Sequence, residues 1–181
     1  MKFSVAVLPG DGIGPEVTEE SVKILKKVGE LYGHQFTFKY GDVGGIAIDV
    51  FGTALPAETA KIAAKADAVL FGAVGGPKWD DPSASVRPED GILGLRRHLK
   101  LFANLRPVQV YPELIQASPI KAEILEGADF LVIRELTGGL YFGKPKKRWE
   151  TKKGRQSVDT LKYSETEIKR IVQVAFELAR G

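Results

Sequence analysis

Short apolar runs alternate along the chain with segments of helical periodicity, and this alternation constrains the fold more than any other feature. Residues 3–8 and 68–74 are apolar runs of strand length, as expected for strands that are buried on both faces. Residues 15–32 instead place apolar side chains at helical spacing, and Gly33 follows them as a typical helix end. The pattern predicts an α/β fold.

The remaining segments continue the alternation and predict two domains, at 1–103 and 104–181. A long polar loop at 75–90 contains three prolines, and loops of this length in compact domains are usually functional or disordered. Strands are predicted at 36–40, 105–111, 130–134 and 140–142, with residues 156–163 extended. Helices are predicted at 56–65, 92–101, 118–127 and after Ser164–Glu167, which has the sequence of a capping box.

Composition narrows the class of protein. Hydrophobic residues make up 44% of the chain and charged residues 27%, the balance of a folded globular protein. No apolar run approaches the roughly 20 residues of a membrane helix. There are no cysteines, which excludes disulfides, thiolate metal sites and cysteine nucleophiles. These observations predict a cytoplasmic protein with no membrane partner.

The net charge of +3 is concentrated in one segment. Residues 144–155 contain seven basic side chains and only Glu150 as an acid, for a local charge of +6. A nucleic-acid binder usually carries a broad basic face, whereas the rest of this chain has a net charge of −3. A solvated, mobile loop is the preferred interpretation, and no nucleic-acid partner is expected.

A glycine-rich turn at 9–15 follows the first predicted strand. A glycine turn that opens a helix can bind phosphate through free backbone N–H groups. Its spacing is G-x-G-x-G-P, however, and not the G-x-G-x-x-G of dinucleotide-binding folds. Spacing alone therefore favours a plain strand-to-helix turn. The two histidines, His34 and His98, have no metal-ligand spacing.

Three arginines and one tyrosine are the candidate functional residues. Arg96, Arg106 and Arg134 each lie near the end of a predicted element, and arginine suits paired hydrogen bonds to carboxylates. If they converge, they form a pocket for a di- or tricarboxylic acid; otherwise they are separate structural ion pairs. Tyr141 lies between glycines in residues 138–143 and either packs in a strand or acts as a general acid.

Four segments together resemble the 3-isopropylmalate dehydrogenases, a family of metal-dependent β-decarboxylating dehydrogenases. They are LPGDGIGPEV at 8–17, GGPKWD at 75–80, RPEDGILGLRRHLKLFANLRP at 87–107 and VIRELTGGLYFG at 132–143. The resemblance implies a two-domain α/β fold that is not a Rossmann fold and is incomplete in this chain. It implies NAD-dependent oxidative decarboxylation of 3-isopropylmalate in leucine biosynthesis, with Mg²⁺ or Mn²⁺, by a homodimer whose arm lies near 144–163.

The resemblance also assigns residues to roles. Arg96, Arg106 and Arg134 match the clamp on the substrate carboxylates, and Tyr141 matches the residue that protonates the enol. Ile92 and Leu93 match positions facing the isopropyl group, where related isocitrate dehydrogenases place polar residues. The cofactor side is matched by Ile13, by Glu89 near the nicotinamide ribose, and by a loop with Gly76, Pro77, Lys78, Trp79 and Asp80.

Members of this family are about twice as long as the chain. Their catalytic lysine, metal-binding aspartates and adenine-contacting loop match no residue in it, so no metal ligand is expected here and the 181 residues alone are expected to lack turnover. Two alternatives remain: an inactive fragment that only binds or assembles, and a related decarboxylating dehydrogenase acting on isocitrate, tartrate or malate.

Overall fold

A computed structural model describes residues 1–181 as two compact units, Met1–Lys100 and Leu101–Gly181. The boundaries predicted from sequence were 1–103 and 104–181. The strands are β1 Lys2–Gly10, β2 Gln35–Tyr40, β3 Ala68–Ala73, β4 Ala103–Gln109, β5 Asp129–Glu135, β6 Lys147–Thr151 and β7 Gly154–Val158. The α-helices are α1 Gly14–Tyr32, α2 Gly45–Phe51, α3 Ala57–Lys65, α4 Glu89–His98, α5 Ala122–Leu125 and α6 Glu165–Ala179. No helix is long and apolar enough to cross a membrane.

The first unit is built on a parallel sheet of three strands in the order β2-β1-β3. Successive side chains of β1 point to opposite faces, and both faces are apolar. Val7 packs with Val22 of α1 on one face, whereas Leu8 packs with Leu95 of α4 on the other. Because β1 is covered by helices on both faces, its sequence is continuously apolar, as predicted.

The strand order reverses direction at β1. The chain crosses from β1 to β2 on one side of it and then returns to β3 on the other. The turn after β1 and the loop after β3 therefore leave the sheet side by side, and Asp11 N–H donates to the carbonyl of Ala73 at 2.7 Å. In open α/β sheets, ligands bind in the crevice at such a switch point.

The second unit contains two antiparallel pairs, β4–β5 and β6–β7, and helix α6 packs against β5. The predicted capping box is confirmed at the start of α6. The Ser164 side chain accepts from the Glu167 backbone N–H, and the Glu167 carboxylate accepts from Ser164 N–H at 2.7 Å. These bonds fix where α6 begins.

Three sequence predictions in the second unit were wrong. The helix predicted at 118–127 is only the single turn α5, since Ile124 remains exposed and too few apolar contacts support a longer helix. The strand predicted at 140–142 is a 3₁₀ helix, Gly139–Tyr141, because Gly139 takes a positive φ of 72° and turns the chain. The basic segment 144–155 is no mobile loop, since it forms most of the β6–β7 hairpin.

The first unit holds one helix that the sequence patterns did not predict. Helix α2 lies in a glycine-rich segment that reads as a loop, and Val43 just before it is fully buried. Helix α4 begins at Glu89, three residues before the predicted start at Ile92.

Candidate active site

A buried carboxylate organises the crevice of the first unit. Asp11 follows β1 and is only 4% exposed. Its carboxylate accepts hydrogen bonds from the backbone N–H groups of Gly45 at 2.6 Å, Ile46 at 2.8 Å and Gly75 at 2.9 Å. One side chain thus joins the glycine turn, the start of α2 and the loop after β3. Sequence reasoning missed this role, although an aspartate between glycines after a buried strand is a usable signal.

The residues predicted on the cofactor side lie around this crevice. Ile13, at the start of α1, is 57% exposed, so its apolar side chain is available for contact. Glu89 lies beside the loop after β3, because a Cβ atom placed on Gly75 would be 3.4 Å from Glu89 Oε1. Arg87 lies 3.6 Å from the Glu89 carboxylate and 3.9 Å from that of Asp80.

Two residues of the loop after β3 already have partners within the chain. The Lys78 ammonium contacts one oxygen of Asp49 at 2.5 Å, and the Trp79 indole N–H donates to the other at 3.2 Å. The Trp79 ring also packs against Gly45, where no larger side chain fits. These contacts fix the 3₁₀ helix Pro77–Trp79 that follows Gly76.

Helix α4 places four predicted site residues on one face. Glu89, Ile92, Leu93 and Arg96 are spaced i, i+3, i+4 and i+7, which aligns their side chains along the helix. The carboxylate stands in the first turn, the two apolar side chains follow, and the guanidinium lies in the last turn. Leu95 faces the core on the other side and is 4% exposed.

The β4–β5 pair brings two of the three arginines together in the second unit. Asn104 lies directly opposite Arg134, and Arg106 lies two residues along β4, so all three side chains share one face. Arg106 Nε donates to Asn104 Oδ1 at 2.8 Å. Asn104 carries no signal of its own in the sequence, because only the strand register shows that it separates the arginines.

Tyr141 joins this face from the 3₁₀ helix. The Arg134 Nη2 group donates to the Tyr141 hydroxyl at 3.1 Å, and the guanidinium carbon is 5.3 Å from the ring centroid. Arg134 and Tyr141 line a cavity of about 240 Å³ together with Leu140, Leu161 and Tyr163. A phenol that accepts from a cation and faces a cavity can donate its own proton to a bound molecule.

The charge on this face is uncompensated. Neither Arg106 nor Arg134 forms an ion pair, and both side chains are exposed. Two guanidinium groups on one strand face, without a carboxylate, favour an anionic ligand with hydrogen-bond acceptors. The structural ion pairs considered from the sequence are therefore absent for these two residues.

Residues 1–181 contain no candidate metal site. No group of three or more histidine, aspartate or glutamate side chains lies close enough to hold a metal ion.

The family model and the related proteins that match this chain belong to one family. Residues 4–181 match the family model described as isocitrate/isopropylmalate dehydrogenase. The chain is 58% identical to a 3-isopropylmalate dehydrogenase of Dehalococcoides mccartyi over 100% of its length, and 55% identical to that of Geobacillus kaustophilus over 99%. The Bacillus subtilis enzyme of the same name is 53% identical over 99%. The chain covers 50%, 48% and 49% of these relatives, respectively, about half of their length.

Solved structures agree with this result. A β-decarboxylating dehydrogenase from Thermococcus kodakarensis matches 98% of the chain with a TM-score of 0.65 and 30% identity. An isocitrate dehydrogenase from Methylococcus capsulatus matches 98% with a TM-score of 0.76 and 25% identity. The chain covers 46% and 48% of these two proteins, respectively.

Proposed function

Since the chain belongs to the isocitrate/isopropylmalate dehydrogenase family, we propose that it forms part of an NAD-dependent enzyme that oxidatively decarboxylates 3-isopropylmalate in leucine biosynthesis. The proposal rests on a strand face with two arginines that form no ion pair, one of which, Arg134, contacts Tyr141. That arrangement suits a substrate with carboxylates to bind and a carbon to protonate.

The arginines hold the substrate, and Tyr141 completes the reaction. Arg106 and Arg134 bind substrate carboxylates, and the family resemblance proposes the same role for Arg96 of α4. Oxidation of the hydroxyl gives a β-keto acid, whose carboxylate leaves as carbon dioxide and gives an enolate. Tyr141 then donates its proton to the enolate carbon, which gives the ketone, and Arg134, which contacts the phenol oxygen at 3.1 Å, stabilises the phenolate that forms.

Helix α4 supplies the selectivity. Ile92 and Leu93 precede Arg96 on the same helix face, so an alkyl group on a substrate held by Arg96 meets apolar side chains. A carboxylate in that place would be desolvated without a partner. This arrangement favours the isopropyl side chain over the third carboxylate of isocitrate.

Two residues of the first unit suit binding of the nicotinamide ribose of NAD. Glu89 offers a carboxylate to the ribose hydroxyls, and Ile13 offers an exposed apolar surface. When bound, NAD supplies the hydride acceptor. A divalent cation, Mg²⁺ or Mn²⁺, belongs to the proposal only through the family, because residues 1–181 hold no ligand set for it.

A homodimer is part of the same proposal. The β6–β7 hairpin has a mostly exposed surface with many basic residues, and Trp149 on it is 38% exposed. We infer that the hairpin contacts a second subunit, as the family resemblance suggests.

The test is substrate-dependent NADH formation by the complete enzyme of which this chain is proposed to form part, with NAD and Mg²⁺. We expect turnover with 3-isopropylmalate and a kcat/KM at least ~100-fold lower with isocitrate, because a buried unpaired carboxylate costs several kcal/mol. Equal or faster turnover of isocitrate would contradict the substrate assignment. No NADH with any of 3-isopropylmalate, isocitrate and malate would contradict the proposed reaction.

A further inference from the structure

A partly buried ion pair lies behind the strand face that carries Arg134. Arg170 of α6 donates from Nη2 to Glu135 Oε1 at 2.8 Å and also to the Thr137 hydroxyl. The Glu135 side chain is only 8% exposed. The Arg170 guanidinium carbon also lies 4.7 Å from the centroid of the Phe102 ring. This cluster lies between β5 and α6, next to Phe102.

Glu135 also holds the turn that leads from β5 toward Tyr141. Its carboxylate accepts from Thr137 N–H at 2.7 Å, from the Thr137 hydroxyl at 2.6 Å and from Gly138 N–H at 2.8 Å. Glu135 is the next residue after Arg134. The same carboxylate therefore connects the strand residue that contacts the Tyr141 phenol with the turn that precedes Tyr141.

Hydrogen bonds and packing fix the backbone between that turn and Tyr141. Gly139 N–H donates to the Lys162 carbonyl at 2.8 Å, and Gly143 N–H donates to the Gly139 carbonyl at 2.9 Å. The ring of Tyr163 packs directly on Gly138 and Gly139, with no room for a side chain at either glycine. A shift of the turn at Gly138 is therefore passed on to the 3₁₀ helix that carries Tyr141.

Attaching α6 to the sheet through Arg170 costs free energy, because part of the guanidinium is removed from water. Its Nε atom is buried without a hydrogen-bond partner, and its guanidinium is partly desolvated. Apolar side chains of similar size commonly replace buried ion pairs at no loss of stability, whereas the planar guanidinium of a hydrogen-bonded arginine fixes geometry. What the arginine adds over an apolar residue is a fixed orientation of Glu135 and Thr137.

We propose that Arg170, acting through Glu135 and Thr137, is a positioning residue that sets the distance between the Tyr141 phenol and Arg134. The inference rests on the proposed function, in which Tyr141 transfers a proton. Small misplacements of a reacting group lower rates strongly, so loss of Arg170 affects turnover more than substrate binding.

The kinetic test uses the full-length enzyme with Arg170→Met and Arg170→Lys, each with and without Tyr141→Phe. Lys169→Met, at the exposed neighbouring position, is the control. We expect Arg170→Met to lower kcat ~10- to 100-fold with less than about a threefold change in KM, and Arg170→Lys to recover part of the loss. In the Tyr141→Phe background, Arg170→Met should cause less than about a twofold further loss.

If the kcat losses of Arg170→Met and Tyr141→Phe multiply in the double variant, the proposal is overturned, since Arg170 then does not act through Tyr141.

A second measurement needs no activity: amide hydrogen exchange of the same variants. We expect Arg170→Met to speed exchange in residues 136–143 while β4 and β5 retain their protection. Unchanged exchange there overturns the positioning role. A normal kcat for Tyr141→Phe alone would instead contradict the proposed function.

Discussion

Single residues account for the chemistry, and the pair of Arg134 and Tyr141 is the clearest example. Their contact at 3.1 Å combines a fixed cation with a group that can donate a proton. The sequence supplied both residues as candidates but could not choose between packing and proton transfer for Tyr141. We propose proton transfer because the strand register and the turn at Gly139 together aim the phenol at the arginine.

The apolar residues of α4 can be tested one at a time. We expect Ile92→Ser to lower kcat/KM for 3-isopropylmalate roughly 10- to 100-fold, because an apolar contact with a branched alkyl group is worth ~1–3 kcal/mol. Malate, which lacks the alkyl group, should lose little. Steady-state kinetics with both substrates provides the measurement. Ile24→Ser, at an exposed site on α1, is the control. An equal loss for both substrates would show that Ile92 does not contact the alkyl group.

At the level of the elements, Asp11 holds together the turn after β1, the start of α2 and the loop after β3. We expect Asp11→Ala to lower the free energy of unfolding by about 3 kcal/mol or more, because one buried and two partly buried N–H groups lose their acceptor. Asp11→Asn should cost less, about 1–2 kcal/mol, since one amide oxygen remains. Urea unfolding provides the measurement, with Glu58→Gln at an exposed position on α3 as the control. A loss no larger than that of the control would mean that the carboxylate does not organise the crevice.

The attachment of α6 to β5 should depend on pH. Burial disfavours ionisation of Glu135, but hydrogen bonds from Thr137, Gly138 and Arg170 outweigh it and hold the pKa of its carboxyl below the usual value. A lowered folded-state pKa contributes stability above the unfolded pKa of about 4.3, and that stability is lost as the pH falls through the folded-state value.

Glu135→Gln removes this contribution at every pH. We therefore expect its melting temperature to lie below that of the wild type at about pH 6 and the difference to shrink towards about pH 3. Thermal unfolding followed across that range is the measurement. Glu123→Gln, at an exposed position in α5, is the control and should show no such convergence. A constant difference between Glu135→Gln and wild type would rule out the linkage.

Elements with strong local signals were predictable from the sequence, and those decided by tertiary contacts were not. Periodicity and apolar runs predicted β1, α1 and β3 because their side chains pack on both faces of one sheet. The hairpin β6–β7 was missed, since its alternating charged side chains read as a solvated segment. Helix α2 was missed because a buried carboxylate, and not its own sequence, anchors its N-terminus.

For the whole molecule, the proposed function depends on arginines that bind the carboxylates of the substrate. Arg96 belongs to the first unit, whereas Arg106 and Arg134 belong to the second. Separate strands and a helix carry them, so no periodicity in the sequence could bring them together. Resemblance to the family suggested the grouping, and the β4–β5 register places two of the three on one face.

Calorimetric titration of 3-isopropylmalate into the complete enzyme tests this binding most directly, using Arg106→Ala and Arg134→Ala. Arg180→Ala, at the exposed end of α6, is the control. Each of the two variants should raise Kd by ~10-fold or more, as expected for losing a charge-assisted hydrogen bond to a carboxylate, while the control leaves Kd unchanged. Wild-type affinity in either variant would contradict carboxylate binding by this strand face.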